Sequence, residues 1–218
     1  MTKKEENFIK VYNLFTTLSS TEKDNPYQLN EKELYVYSYL YMQRNLNGEV
    51  ETAYDALKLF ITLTTKRISD NKKEIMVQME SLVNKGIINV KDNNGALTIT
   101  FNEINGGFEQ VLFDHYKAMK DTRQYYMFCA VKKWERETTG AIYAIWQWGK
   151  LLSLKSDRRV KDILNEACDE ENGFLIKRVG AYSRDKKVIG SDGQVYQDAN
   201  NYFPNYDWFK SGKISIAS

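Results

Sequence analysis

The feature that most limits how this chain can fold is a pair of matched segments, one in each half of the sequence. SDNKKEIMVQMESLVNKGIINV begins at Ser69, and SDRRVKDILNEACDEENGFLIKRV begins at Ser156. Each opens with Ser-Asp, places two cations soon after, continues with apolar residues at helical spacing, reaches a glycine and ends in a β-rich run. The match predicts one structural plan that the chain uses twice.

The first half predicts a strand, three helices and a hairpin. The strand lies in NFIKVYNLF (Asn7–Phe15), and Asn30 with Glu33 forms the capping box of the first helix. The second helix follows the short link GEVE and begins at Thr52. Ser69 or Asp70 opens the third helix, which ends at a glycine, and KDNNG is the turn of the hairpin.

The second half predicts the same order. GFEQVLFDHY (Gly107–Tyr116) repeats the F-x-x-V rhythm of the first strand, and Asp121 caps the next helix. GAIYAIWQWGKLLSL and KSDRRVKDILNEACDEENG follow as helices. FLIKRV is then a strand, GAYSRDKKVIGSDG a wing and QVYQ its return.

Apolar residues at helical spacing are predicted to face the core. In the first half they are Leu34, Val36, Tyr37, Leu40, Tyr41, Leu57, Phe60, Ile61, Ile75, Met79, Leu82 and Val83. In the second half they are Ile142, Ile145, Trp146, Leu151, Leu152, Val160, Ile163, Leu164 and Ala167.

These patterns predict a mostly α fold with small β wings, of the α+β class. It consists of two tandem winged helix-turn-helix domains, residues 1–105 and 106–200, followed by an irregular aromatic tail at 201–218. The alternative is a single mixed α/β domain in which the two glycine stops coincide by chance.

The first half also resembles a known family. The residues LNEKELYVYSYLYMQRN, GEVETAYDALKLF and KKEIMVQMESLVNKGIINVKDNNG resemble the winged-helix domain of replication initiation proteins from Gram-positive plasmids and phages. The RepA N-terminal type and the DnaD-like type share this layout. The resemblance covers roughly Asn7–Glu103, and the tail NYFPNYDWFKSG is similar to the aromatic tail of some DnaD-like phage proteins. It implies a role in DNA replication initiation.

The overall composition describes a globular protein without a pronounced charge. The net charge is +2, from 31 basic and 29 acidic residues, so a polyanion-binding surface has to be local. Two distant cysteines, Cys129 and Cys168, indicate free thiols in a reducing compartment. Neither a signal peptide nor a membrane span is predicted, so the expected location is cytoplasmic.

Catalytic motifs are absent from the sequence. His115 is the only histidine, which excludes the two-histidine metal site of rolling-circle initiators and disfavours a Ser-His-Asp triad. The segment WQWGKLL has a Gly-Lys pair without the glycine-rich approach of a phosphate-binding loop. DEEN (Asp169–Asn172) is interpreted as a solvated helix end rather than a cation site. We therefore expect a protein that is not an enzyme and has no metal or cofactor.

Two basic clusters surround the starts of the matched third helices. The N-terminal residues of a recognition helix enter the major groove of DNA. Cations at a helix start oppose the helix dipole by about 0.3–1 kcal/mol each, so contact with a polyanion is the simplest reason for them. The alternative is an accidental surface. The wing supplies further cations for phosphates. The predicted DNA-binding residues are Lys66, Arg67, Asn71, Lys72, Lys73, Lys155, Arg158, Arg159, Lys161, Arg184, Lys186 and Lys187.

The sequence therefore predicts sequence-specific binding of double-stranded DNA, in plasmid or phage replication initiation. Within the predicted set, Asn71, Lys72, Arg158 and Arg159 are expected to read bases, and Lys66, Arg67, Lys155, Arg184, Lys186 and Lys187 to hold phosphates. The alternatives are a transcriptional regulator, or a non-catalytic interaction module whose tail docks on replication proteins. The sequence leaves the oligomeric state open.

Overall fold

The computed structural model describes residues 7–18, 25–63, 67–119, 121–178, 188–189, 195–196 and 200–210. The chain divides into two units, Met1–Tyr126 and Met127–Ser218. Each unit combines helices with small antiparallel sheets, so the predicted α+β class is confirmed.

Unit 1 begins with β1 (Phe8–Tyr12) and a short 3-10 helix (Asn13–Thr16). The elements that follow are α1 (Glu31–Met42), β2 (Val50–Thr52), α2 (Tyr54–Phe60), α3 (Ile68–Asn84), β3 (Ile88–Asn93) and β4 (Ala96–Phe101). The unit continues with β5 (Phe108–Leu112), α4 (Phe113–Ala118) and the first residues of α5 (Thr122–Lys132).

The two segments with the F-x-x-V rhythm form one ribbon within unit 1. β1 pairs antiparallel with β5, and Ile9 lies opposite Val111, both fully buried. The predicted domain boundary after residue 105 is therefore corrected to the position between Tyr126 and Met127. The error arose because a strand pattern records which residues are apolar but not which strand is the pairing partner.

Unit 1 also contains a three-stranded sheet in the order β2-β4-β3. The segment GEVE, predicted as a link, contributes to β2, which pairs with β4. The predicted hairpin turn is confirmed. Asn94 and Gly95 both have positive φ angles, 55° and 91°, as a two-residue turn requires. The Gly95 N–H donates to Asp92 Oδ1 at 2.7 Å.

Two of the predicted helix ends of unit 1 are confirmed. Asn30 caps α1, and Glu33 Oε2 accepts from the Asn30 N–H at 2.7 Å, which completes the capping box. Gly86 follows α3 with a φ of +66°, and the Ile87 N–H reaches Leu82 O at 3.0 Å in a Schellman motif.

The predicted starts of α2 and α3 are wrong. Thr52 lies in β2, and α2 begins at Tyr54. α3 begins at Ile68, one residue before Ser69, without a side-chain cap. Ser, Thr and Asp favour helix starts only when their side chains reach the free N–H groups of the first turn.

Most of the predicted core of unit 1 is buried. The exceptions are Phe60 and Val83, which are 68% and 39% exposed. Leu57 in α2 and the following Ile61 reach the core, whereas Phe60 lies against the Tyr39 ring, with centroids 6.3 Å apart.

Unit 2 repeats part of the connectivity of unit 1. After the end of α5 come β6 (Ala141–Ile142), α6 (Ile145–Leu151), α7 (Asp157–Ala167), β7 (Leu175–Arg178), β8 (Val188–Ile189), β9 (Val195–Tyr196), β10 (Asn201–Pro204) and α8 (Tyr206–Lys210). The sheet order is β6-β10-β7. In both units a helix, a strand and two helices precede the other two strands of the three-stranded sheet, and the later of these two strands lies at its centre. In unit 2, β8 and β9 lie between these two strands along the chain.

Several boundaries in unit 2 differ from the prediction. Ile142 lies in β6 rather than in a helix, and Trp146 is 57% exposed. The helix predicted to stop at Gly173 ends at Ala167. Gly173 is needed because a Cβ there would lie 2.5 Å from Asp169 O, at a turn that the Asp169 side chain closes by accepting from the Asn172 N–H at 2.8 Å.

The predicted irregular tail is ordered where the structure describes it. QVYQ contributes β9, which pairs with β8, and the central strand of the sheet is instead β10. In α8, Tyr206 accepts from Lys132 Nζ at 2.8 Å and donates to Glu135, while Phe209 packs edge-on against Phe128. Packing of these partly exposed rings fixes a segment whose composition alone resembles a loop.

Glu33 connects the start of α1 to the end of α3. Its carboxylate is 3% exposed and accepts from Lys85 Nζ at 2.7 and 2.8 Å. Ser81 Oγ donates to the same group, and the Asn30 N–H completes the set. A buried carboxylate with these partners fixes the relative position of the two helices.

We expect Glu33→Ala to lower the free energy of unfolding by about 3 kcal/mol, because Lys85 and the Asn30 N–H lose their partner. Urea unfolding measures the change. Glu51→Ala removes an exposed carboxylate of the same unit and should change it by less than about 0.5 kcal/mol. Equal effects of the two substitutions would contradict the prediction.

Candidate nucleic-acid interface

The third helix of unit 2 is anchored by one face only. Val160, Ile163, Leu164 and Ala167 are buried, as the sequence predicted. Their spacing leaves the opposite face of α7 to solvent. Burying each of the three larger side chains contributes about 1.5–3 kcal/mol, so the orientation of the helix is well determined.

A tight turn sets the start of α7. Ser156 caps the helix, its Oγ accepting from the Arg159 N–H at 3.4 Å. The Leu154 N–H donates to Gly149 O at 2.7 Å, and a Cβ on Gly149 would lie 3.0 Å from Leu154 O. The glycine of WQWGKLL therefore serves the close approach of this turn to α6.

The basic cluster at this helix start is exposed. Lys155, Arg158, Arg159 and Lys161 all project into solvent, and none has an ion-pair partner among the described residues. The predicted site residues of α7 are thus brought together on one surface. Arginine suits it, since a guanidinium can donate two parallel hydrogen bonds to a phosphate or a guanine edge.

The corresponding start of α3 is different, because Lys72 forms an ion pair within unit 1. Lys72 Nζ lies 2.9 Å from Asp55 Oδ2, and Lys58 Nζ lies 2.7 Å from Asp55 Oδ1. Hydrogen bonds from Lys58 and Lys72 lower the pKa of Asp55 to about 2. Arg67 and Lys73 are exposed.

The prediction that Asn71 reads bases is wrong, because its side chain is 5% exposed. Its Nδ2 donates to Ile61 O at 2.6 Å, and its Oδ1 accepts from the Leu63 N–H at 2.8 Å. Asn71 thus holds residues 61–63, which follow α2, where backbone groups outside a helix need side-chain partners.

Four predicted site residues, Lys66, Arg184, Lys186 and Lys187, lie outside the described residues. β7, which leads toward the last three, contributes two exposed cations that the sequence reasoning did not single out, Lys177 and Arg178. The Arg178 guanidinium lies 4.4 Å from the centroid of the Phe203 ring. The adjacent Lys and Arg in the predicted strand FLIKRV could have identified these two residues from the sequence.

The part of the chain that the structure describes holds no group of three or more His, Cys, Asp or Glu residues able to bind a metal ion. Both cysteines are free, as expected, and burial raises the pKa of Cys168 to about 11. Among the helices of the described residues, none has both the length and the apolar character that crossing a membrane requires.

We expect Asn71→Ala to lower the free energy of unfolding by about 2 kcal/mol, because the part-buried Leu63 N–H and the buried Ile61 C=O lose their partners. Urea unfolding tests this. Asn84→Ala, at an exposed position of the same helix, should change stability by less than about 0.5 kcal/mol. Unchanged stability of Asn71→Ala together with weaker DNA binding would restore the original assignment.

The ionised carboxylate of Asp55 should stabilise unit 1, and this stabilisation should be lost in acid. Its folded pKa of about 2 lies below the ordinary 3.8, so the contribution is complete above that ordinary value and is lost as the pH falls toward 2. We expect Asp55→Asn to show a smaller fall in thermal midpoint over this range than the parent chain. Asp162→Asn, an exposed carboxylate on α7, is the control and should retain the parent profile.

Comparison of the chain with protein-family models, with curated proteins and with solved structures finds no match.

Proposed function

We propose that this chain binds double-stranded DNA in a sequence-specific manner through two winged-helix units, with α7 as the principal recognition helix. The observation that carries the proposal is the exposed cluster Lys155, Arg158, Arg159 and Lys161 at the start of a helix whose other face is buried. The N-terminal residues of a recognition helix contact base edges in the major groove.

The connectivity of the units supports the winged-helix assignment. A helix, a strand, two helices and a two-stranded hairpin, with the first strand added to the hairpin, occurs in unit 1. Unit 2 repeats the order, with β8 and β9 between the two longer strands. β7 presents Lys177 and Arg178 on the path toward the predicted wing, where cations would neutralise phosphates.

Each cation of the α7 cluster has an expected role. Arg158 and Arg159 lie in the first turn of α7 and would donate to base edges, because a bidentate guanidinium distinguishes guanine. Lys155 precedes the helix, and Lys161 lies one turn further along, so both would hold the phosphate backbone. Asp157 is the one carboxylate in the first turn of α7, so the four cations of the cluster keep an excess of positive charge.

In unit 1 the proposal is narrower than the sequence suggested. Asn71 is withdrawn from it, and Lys72 would have to leave Asp55 before it could contact DNA. Arg67 remains as a candidate for phosphate contact, because it is exposed. Resemblance of the first half to plasmid and phage initiators supports a role in replication initiation.

Selection from a random duplex library at two salt concentrations tests the proposal. The parent chain should enrich one sequence, and its affinity should fall steeply with salt. We expect Arg158→Ala/Arg159→Ala to relax the sequence preference and to weaken binding by about 1–3 kcal/mol for each base that is no longer read by an arginine. Lys117→Ala/Lys210→Ala removes the same charge from exposed positions elsewhere and is the matched control.

The outcomes separate the possible roles. Absence of enrichment, with equal affinity of both double variants, would overturn the proposal. Enrichment of repeats found in a replication origin would support initiation, whereas enrichment of promoter sequences would point to transcriptional control. The alternative of an aromatic tail that docks on a partner is weakened, because Tyr206 and Phe209 pack within unit 2.

A further inference from the structure

The exposed face of α3 has a different chemistry from the exposed face of α7. On α3, Met76, Val77 and Val83 are 41%, 56% and 39% exposed. The exposed residues of α7 are polar throughout, and they are Asp157, Arg158, Arg159, Lys161, Asp162, Asn165 and Glu166. Contiguous exposed apolar side chains mark an interaction surface. Two helices with the same place in their units are therefore suited to different partners.

Two opposite charges flank the apolar part of the α3 face. Lys73 and Glu80 are exposed and seven residues apart, which is nearly two helical turns, so both point in the same direction. Met76 and Val77 lie midway between them. Neither charge has an ion-pair partner among the described residues.

This arrangement is complementary to itself. If two α3 helices pack antiparallel with a two-fold axis between Met76 and Val77, Lys73 of each copy lies opposite Glu80 of the other copy. Met76 and Val77 of the two copies then meet around the axis. A two-fold interface requires one patch that matches its own rotated image, and the equal spacing of the two charges from the apolar midpoint meets this condition.

We propose that this face, which consists of Lys73, Met76, Val77 and Glu80, joins two copies of the chain in a symmetric dimer. DNA is a poor occupant, because the Glu80 carboxylate would face phosphates and the midpoint of the face is apolar. An unrelated protein would not require the two charges to be equidistant from that midpoint. The proposal goes beyond DNA binding and does not depend on it.

Sedimentation equilibrium of the full chain tests the dimer. We expect a mass twice the 25.5 kDa of one chain. Lys73→Glu places like charges opposite each other and should weaken self-association at least about tenfold. Lys73→Glu/Glu80→Lys exchanges the two charges and should restore it. Met76→Glu should yield monomer, because it introduces unpaired charges at the axis.

Leu46→Glu is the matched control for Met76→Glu, because Leu46 is 75% exposed and lies outside α3. It should leave the dimer intact, and thermal unfolding of each variant establishes that it folds. A monomeric parent chain, or failure of the charge exchange to restore association, would overturn the proposal. So would a loss of DNA affinity in Lys73→Glu at unchanged mass, which would make this face a DNA contact. A parent chain that forms the dimer but shows no sequence-specific DNA binding would contradict only the proposed function.

Discussion

The buried stripe on the third helix of each unit is the interaction on which the rest of the structure depends. In α3 it includes Ile75, Met79 and Leu82, and in α7 it includes Val160 and Leu164. Because these side chains are removed from water, the opposite face of each helix is directed outward. The exposed charged residues at the start of each helix are directed into solvent with that face. Polar groups then fix what surrounds the stripe. Glu33 ties α1 to the end of α3 through Lys85, and Asn71 holds the residues that follow α2.

The two units share a connectivity but have diverged at the outward face of this helix. α7 keeps a solvated cluster of cations at its start, whereas α3 has its Lys72 paired with Asp55 and exposes apolar side chains further along. A surface with unpaired cations suits a polyanion, and one with apolar residues between opposite charges suits a protein. The repeat therefore allows one chain to combine recognition of DNA with self-association, which are the two proposed roles.

Much of the local structure could be predicted from the sequence. The capping box of Asn30 and Glu33, the glycine stop at Gly86 and the Asn-Gly turn depend on residues within a few positions of each other, so a single sequence contains the whole signal. The exposed cluster of α7 was predictable for the same reason, because the helical period separates Arg158 from Val160 and Leu164. The predictions for Phe60, Asn71 and Thr52 were wrong because packing or pairing with distant residues overrides local preference.

The sequence by itself determined which helix faces are apolar and where several helices begin and end, and it predicted two matched halves. Only the tertiary structure decided that β1 pairs with β5, that β10 rather than the preceding segment closes the second sheet, and that Lys72 is neutralised by Asp55. The physical reason is separation along the chain. A period or a cap acts over about one or two helical turns, whereas strand pairing and ion pairing select among all residues that the fold brings together.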